Sequence, residues 1–148
     1  MLGHSLIYLA IAALAGLTMA LQGSMNSMLG KKIGILEASF IAHLSAALIF
    51  IILILLNIKK GNIEAWREAP WYLYLGGLLG VIITYTVIVS IPELGMAVAT
   101  TAIVTAQVST ACVLDYLGAF GMEKVPFSWL KLVGIVFLAL GVRLMLVK

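Results

Sequence analysis

Residues 38–58 read ASFIAHLSAALIFIILILLNI, twenty-one positions without Asp, Glu, Lys or Arg. A helix rises 1.5 Å per residue, so about 20 residues cross a hydrocarbon core of about 30 Å, and this run is long enough to do so. Working outward, 1–30, 69–92 and 94–114 also lack charged side chains, and a fifth apolar stretch after Lys131 is interrupted only by Arg143 near its end. The chain has nine Lys and Arg and six Asp and Glu among 148 residues, and they fall between these runs. A composition that is 64% apolar leaves too little polar surface to cover a soluble globule. The pattern predicts an all-α membrane protein with five transmembrane helices, over 5–29, 36–57, 70–90, 95–116 and 127–147. Together they make one transmembrane domain, 1–148, with no room for a soluble domain.

The formal charge of +3 would raise the question of nucleic acid, but the bases sit at loop ends. Lys31, Lys32, Lys59, Lys60 and Lys124 read as headgroup contacts and topology markers, so the lipid bilayer is the expected partner and nucleic acid is not. The single cysteine, Cys112, cannot form an intramolecular disulfide, and with two scattered histidines it makes no metal set. Neither H-E-x-x-H, G-x-S-x-G nor a Walker A motif occurs, so no catalytic residue, enzyme activity or cofactor is expected. The N-terminus has no basic n-region and its apolar stretch is too long for an h-region, so the first helix is expected to stay.

Small residues recur every four positions in the first helix, at Ala12, Gly16, Ala20 and Ser24, and predict one close-approach stripe. Gln22 and Asn26 lie four apart beside it. The second helix is nearly continuous Leu, Ile and Phe from 48 to 56, as a lipid-facing helix should be. Trp66, Trp71 and Tyr72 flank a polar segment and read as an interfacial belt. The third helix carries Gly76 and Gly80 in a Gly-x-x-x-Gly, which predicts close packing of another backbone, and 91–95 is expected to break it. Ten of the residues from 97 to 111 are Ala, Thr or Ser, a surface better placed against helices or a cavity than against lipid.

Polar groups at membrane depth are the candidates for function. Neutral amides at Gln22, Asn26 and Gln107 would cost several kcal/mol each if left unpartnered in hydrocarbon, so they either join helices or line a polar cavity. Asp115 is disfavoured at a helix C-terminus unless paired. It is therefore an ion-coupling candidate, or else an interfacial acid that reaches headgroup water or is tied to Lys124 or Lys131. Glu93, in the expected helix break, is the second coupling candidate, with an interfacial turn residue as the plain alternative. His43 is the odd residue of the second helix. A single histidine there can carry a proton, or bond a neighbouring carbonyl or hydroxyl.

Loop charge sets orientation through the Lys and Arg bias. Five spans put Lys59, Lys60, Arg67, Lys124 and Lys131 on one side, and Lys31, Lys32, Arg143 and Lys148 on the other. Five against four is almost no bias. Either the chain inserts one way by a small margin, or it has dual topology and pairs antiparallel with itself.

One further pattern runs through nearly the whole chain. Gly16 is followed by Gln22-Gly23-Ser24-Met25-Asn26 and Leu29-Gly30-Lys31, and Pro70-Trp71 precedes Leu75-Gly76-Gly77-Leu78-Leu79-Gly80. Pro92, Leu94-Gly95 and Gln107 come next. Asp115, Gly118, Phe120-Gly121, Pro126, Gly134 and Gly141 complete the order. In this order the residues resemble the YdcZ-type family of the drug/metabolite transporter superfamily. The resemblance implies an inner (plasma) membrane, multi-pass exporter in which one five-helix unit is half of an inverted-repeat transporter. It implies an antiparallel homodimer, or a heterodimer with a homologous five-helix protein. Ala106 and the region of His43 depart from a pattern that often has Gly. The architecture is also similar to small multidrug transporters, but those use a Glu in helix one where this chain has Gln22 and Asn26.

On this reading a small-molecule substrate, an organic solute or metabolite, is bound by Gln22, Asn26, Gln107, Gly76 and Gly80, with Asp115 or Glu93 supplying any ion coupling. The alternatives are a non-transporting membrane subunit of a larger complex and a lipid flippase component.

Overall fold

The structure, a computed structural model, describes residues 2–58 and 61–146. Among them it is all-helical, with α1 (Leu2–Ile33), α2 (Ile35–Leu55), α3 (Gly76–Leu94), α4 (Met96–Leu117) and α5 (Trp129–Leu146). Five segments are long and apolar enough to cross a membrane: Leu6–Ile33, Ile35–Leu55, Trp71–Leu94, Met96–Leu117 and Trp129–Leu146. Lys59, Lys60 and Lys148, used above to weigh loop charge, lie outside the described residues. The chain divides after Pro92 into two units, the first holding α1, α2 and α3 to that point, the second holding α4 and α5.

In the first unit α1 runs past the end expected near residue 29. Lys31 and Lys32 form its last helical turn, where cations complement the negative end of the helix dipole. The loop expected at 30–36 shrinks to one residue, Gly34, with φ 106° and ψ 153°. That conformation belongs to glycine. It lets the Gly34 amide bond the Gly30 carbonyl at 3.0 Å while its own carbonyl accepts from Ala38 at 3.1 Å, so both helices keep their ladders. Helix α2 ends at a left-handed Asn57, φ 53°. The Asn57 amide bonds the Ile54 carbonyl at 3.0 Å and the Ile58 amide reaches Leu53 at 3.5 Å, the paired bonds of a Schellman cap. Every residue from 48 to 56 is exposed, which costs nothing where the solvent is lipid.

Two 3-10 turns, Ile63–Glu68 and Trp71–Leu75, connect α2 to α3. The Tyr74 hydroxyl donates to the Trp66 carbonyl and ties one turn to the other. Arg67 lies 5.6 Å from the Trp66 ring centroid, and Trp71 meets Tyr72 edge-on at 6.3 Å. The third span thus opens with a tight aromatic turn and becomes an α-helix only at Gly76. It then continues to Leu94 with Pro92 in its last turn, so the break expected over 91–95 reduces to Gly95. Gly95, with φ 81° and ψ 155°, repeats the Gly34 conformation.

In the second unit α4 ends at left-handed Gly118, φ 62° and ψ 39°. The Asp115 carbonyl collects the Gly118 amide at 3.3 Å and the Val125 amide at 2.9 Å, closing the loop onto the helix end. Ser128 caps α5: its hydroxyl accepts from the Leu130 amide at 3.3 Å.

Candidate functional site

Gly23, Ser27 and Gly30 are buried along one line of α1, and Gly23 and Gly30 meet α3. A Cβ placed on Gly23 would lie 3.1 Å from Val87 Cγ1 and 3.3 Å from Ile91 Cδ1, and one on Gly30 would lie 2.6 Å from Ile88 Cγ2. Ile88 is in turn 2% exposed. This joint corrects the expected stripe. Ala20 and Ser24 border the joint, but Ala12 is exposed and Gly16 has nothing within 4 Å. The reason is local: the β-branched side chains that fill the groove, Val87, Ile88 and Ile91, are gathered in the last turns of α3. They reach only the second half of α1.

The amides run along the edge of that joint. At about 100° per residue, Asn26 flanks the line of Gly23 and Gly30 and Gln22 lies further round. Asn26 is accordingly half-buried and Gln22 exposed. On α3, Gly76 is exposed with nothing within 4 Å, and among the described residues no backbone of another element comes within 4 Å of a Cβ placed on Gly76 or Gly80. Gly80 instead makes room for an imidazole: a Cβ there would lie 3.5 Å from His43 Nε2. The other ring nitrogen, Nδ1, is 3.0 Å from the Ser39 carbonyl. A carbonyl can only accept, so Nδ1 carries a hydrogen. Ser39 is 6% exposed, and its hydroxyl has no hydrogen-bond partner. The i, i+4 spacing of Ser39 and His43 is visible in the sequence. That the ring takes the carbonyl, leaving the hydroxyl orphaned, is not.

In the second unit Lys131 Nζ approaches Asp115 Oδ2 at 3.7 Å, with both side chains partly exposed. This joins α4 to α5 and realises the pairing with Lys131 that the sequence left open. Thr101, Thr105 and Ser109 form a ladder, each hydroxyl donating one turn back, to Ala97, Thr101 and Thr105 at 2.8, 2.8 and 2.7 Å. Thr105 and Ser109 thereby spend their protons on their own helix, whereas Thr101 divides its one proton between the Ala97 carbonyl and Met145 Sδ. Thr101 Oγ1 also meets Met145 Sδ at 3.0 Å, which turns the ladder toward α5. Gln107, two residues from Thr105 and from Ser109, lies about 160° round α4 from both and is exposed. The hydroxyls and the amide thus belong to opposite sides of one helix. Glu93, next to last in α3, is exposed. Among the described residues no cluster of His, Cys, Asp and Glu could hold a metal ion.

Five apolar spans define a multi-pass membrane protein. A model of the family described as "Putative inner membrane exporter, YdcZ" matches residues 7–144, and the chain belongs to that family. Its place is therefore the inner membrane. No curated protein matches the chain, and no solved structure does.

Proposed function

We propose that the chain exports a small amphipathic organic solute as one half of an antiparallel pair, the mate being a second copy or a homologous five-helix protein. The observation that carries the reading is membership of an exporter family over residues 7–144. Loop charge of five against four and an odd number of spans support an inverted pair, because two oppositely inserted units reproduce an inverted repeat. Gln22 and Asn26 on the edge of the α1 joint, Gly76 and Gly80 on α3, and Gln107 on the open side of α4 are the substrate-binding groups. The amides orient the polar part of the solute and the glycines leave it room. Asp115 and Glu93, at helix ends, are the ion-coupling candidates. Nothing in the reading requires catalysis or a cofactor.

Reconstitution of the purified chain alone tests it. Solute flux across the proteoliposome membrane is expected; a silent protein that co-purifies with a fixed partner would favour the non-transporting subunit instead.

A further inference from the structure

His43 is the polar interruption of the most apolar span, and the amide-lined site makes no use of it. It stands eight residues into α2, about 12 Å from the start of that helix. An ionisable group at such depth is costly and marks function by default. Three observations define its surroundings. The Ser39 carbonyl fixes the ring through Nδ1 at 3.0 Å. Gly80 leaves the space in front of Nε2 free of any side chain of its own. The Ser39 hydroxyl, one turn away, is buried without a partner.

Other titratable groups on the neighbouring elements are few. Glu37 shares α2 but sits over Gly34. Helix α1 brings His4, Tyr8, Lys31 and Lys32, α3 brings Tyr85 and Glu93, and the aromatic turn ahead of it brings Tyr72 and Tyr74. Among the described residues no charged side chain is within ion-pair distance of His43.

We propose that His43 Nε2 is a reversible proton-binding site at membrane depth, and that the exporter couples to protons through it. The second half of the statement rests on the transporter reading; the first does not. The neutral ring takes one proton at Nε2 and becomes an imidazolium with two donors. Nδ1–H keeps the Ser39 carbonyl, while the new N–H needs an acceptor from water or from the solute. When the α2–α3 face closes to water, the charged ring loses that acceptor and releases the proton, and this dependence on access is what coupling requires.

The experiment uses the full chain in lipid nanodiscs with 15N-labelled histidine, in a His4→Gln background so that only His43 is read. At high pH the expected spectrum is that of a ring protonated at Nδ1 and bare at Nε2. Acidification should protonate Nε2, and returning the pH should reverse it. Gly80→Leu, which fills the space before Nε2, should abolish the uptake, whereas Gly77→Leu, at a position with nothing within 4 Å, should leave it intact. A ring protonated at Nε2 in the unaltered site, or equal uptake in Gly80→Leu, overturns the proposal.

Ethidium flux driven by a pH gradient into proteoliposomes reads the coupling. Loss of flux in His43→Gln supports it. Undiminished flux in that variant overturns the coupling and leaves export standing. Reversible Nε2 protonation without any ethidium flux in the unaltered chain counts against export and leaves the proton site standing.

Discussion

Gly34 and Gly95 share one conformation, φ 106° and 81° with ψ 153° and 155°, and each joins two spans by a single residue. Side chains other than hydrogen cost of order 1–3 kcal/mol in that region. At Gly34 a Cβ would also meet the Glu37 carboxylate, whereas at Gly95 it would meet nothing within 4 Å. Gly34→Ala should therefore destabilise more than Gly95→Ala, by about 1–3 kcal/mol for the latter, as read by reversible unfolding in mixed micelles. Asp115 makes a different case. Its carbonyl, not its carboxylate, holds the loop to Val125, and the ion pair with Lys131 is partly exposed on both sides. Asp115→Asn should cost no more than about 1 kcal/mol in the same assay. Lost transport in a variant so little destabilised would mark the carboxylate as a coupling group. Gln107→Leu should abolish transport and leave insertion intact; normal transport by that variant removes Gln107 from the site.

Among the elements, α1 carries two halves of one small-residue face with different fates. Gly30 is pressed against Ile88, while Gly16 opens onto nothing within 4 Å. Gly30→Ala should destabilise the first unit by about 1–3 kcal/mol through overpacking, and Ile88→Ala in the same chain should recover part of the loss. Gly16→Ala should be neutral or slightly stabilising, since the new methyl meets no neighbour and alanine favours the helix by about 1 kcal/mol over glycine. The existence of the five spans was legible in the sequence because a charge-free apolar run of about 20 residues matches the thickness of a bilayer core. The choice between Gly16 and Gly30 was not, because both belong to one run of small residues and spacing alone cannot say where α3 crosses it. The links are shorter than the sequence suggests for a related reason. Polar residues such as Lys31, Lys32 and Glu93 suggest loops, yet a helix end in the headgroup layer tolerates them within its last turn. The place of Asn26 beside the small-residue run follows from types and spacing, but the choice of Lys131 over Lys124 as the partner of Asp115 does not. The approach of His43 to Gly80 depends on how α2 and α3 pack, and nothing periodic in the sequence announces it.

For the whole molecule, the pair hypothesis turns on charge balance. Single cysteines introduced at 62 and at 148, in a Cys112→Ser background, should each label from both sides of the membrane if the chain inserts both ways. Uniform one-sided labelling would leave a single orientation. Gly61→Lys with Asn62→Lys takes the loop count from five to seven against four and should drive insertion to one orientation. If an inverted second copy is the mate, export should fall with it. Supplying an oppositely biased variant should then restore it.

The two single-glycine links have a practical corollary. If every span crosses the bilayer once, the two spans between Gly34 and Gly95, α2 and α3, put both links at the same leaflet, and neither link offers a protease an extended strand to grip. The opposite leaflet carries the long connections, through 61–70 and through 118–128. Shaving sealed vesicles with an external protease should therefore cut a molecule only when those connections point outward. In a population of mixed handedness, the uncut fraction would count the inverted copies directly.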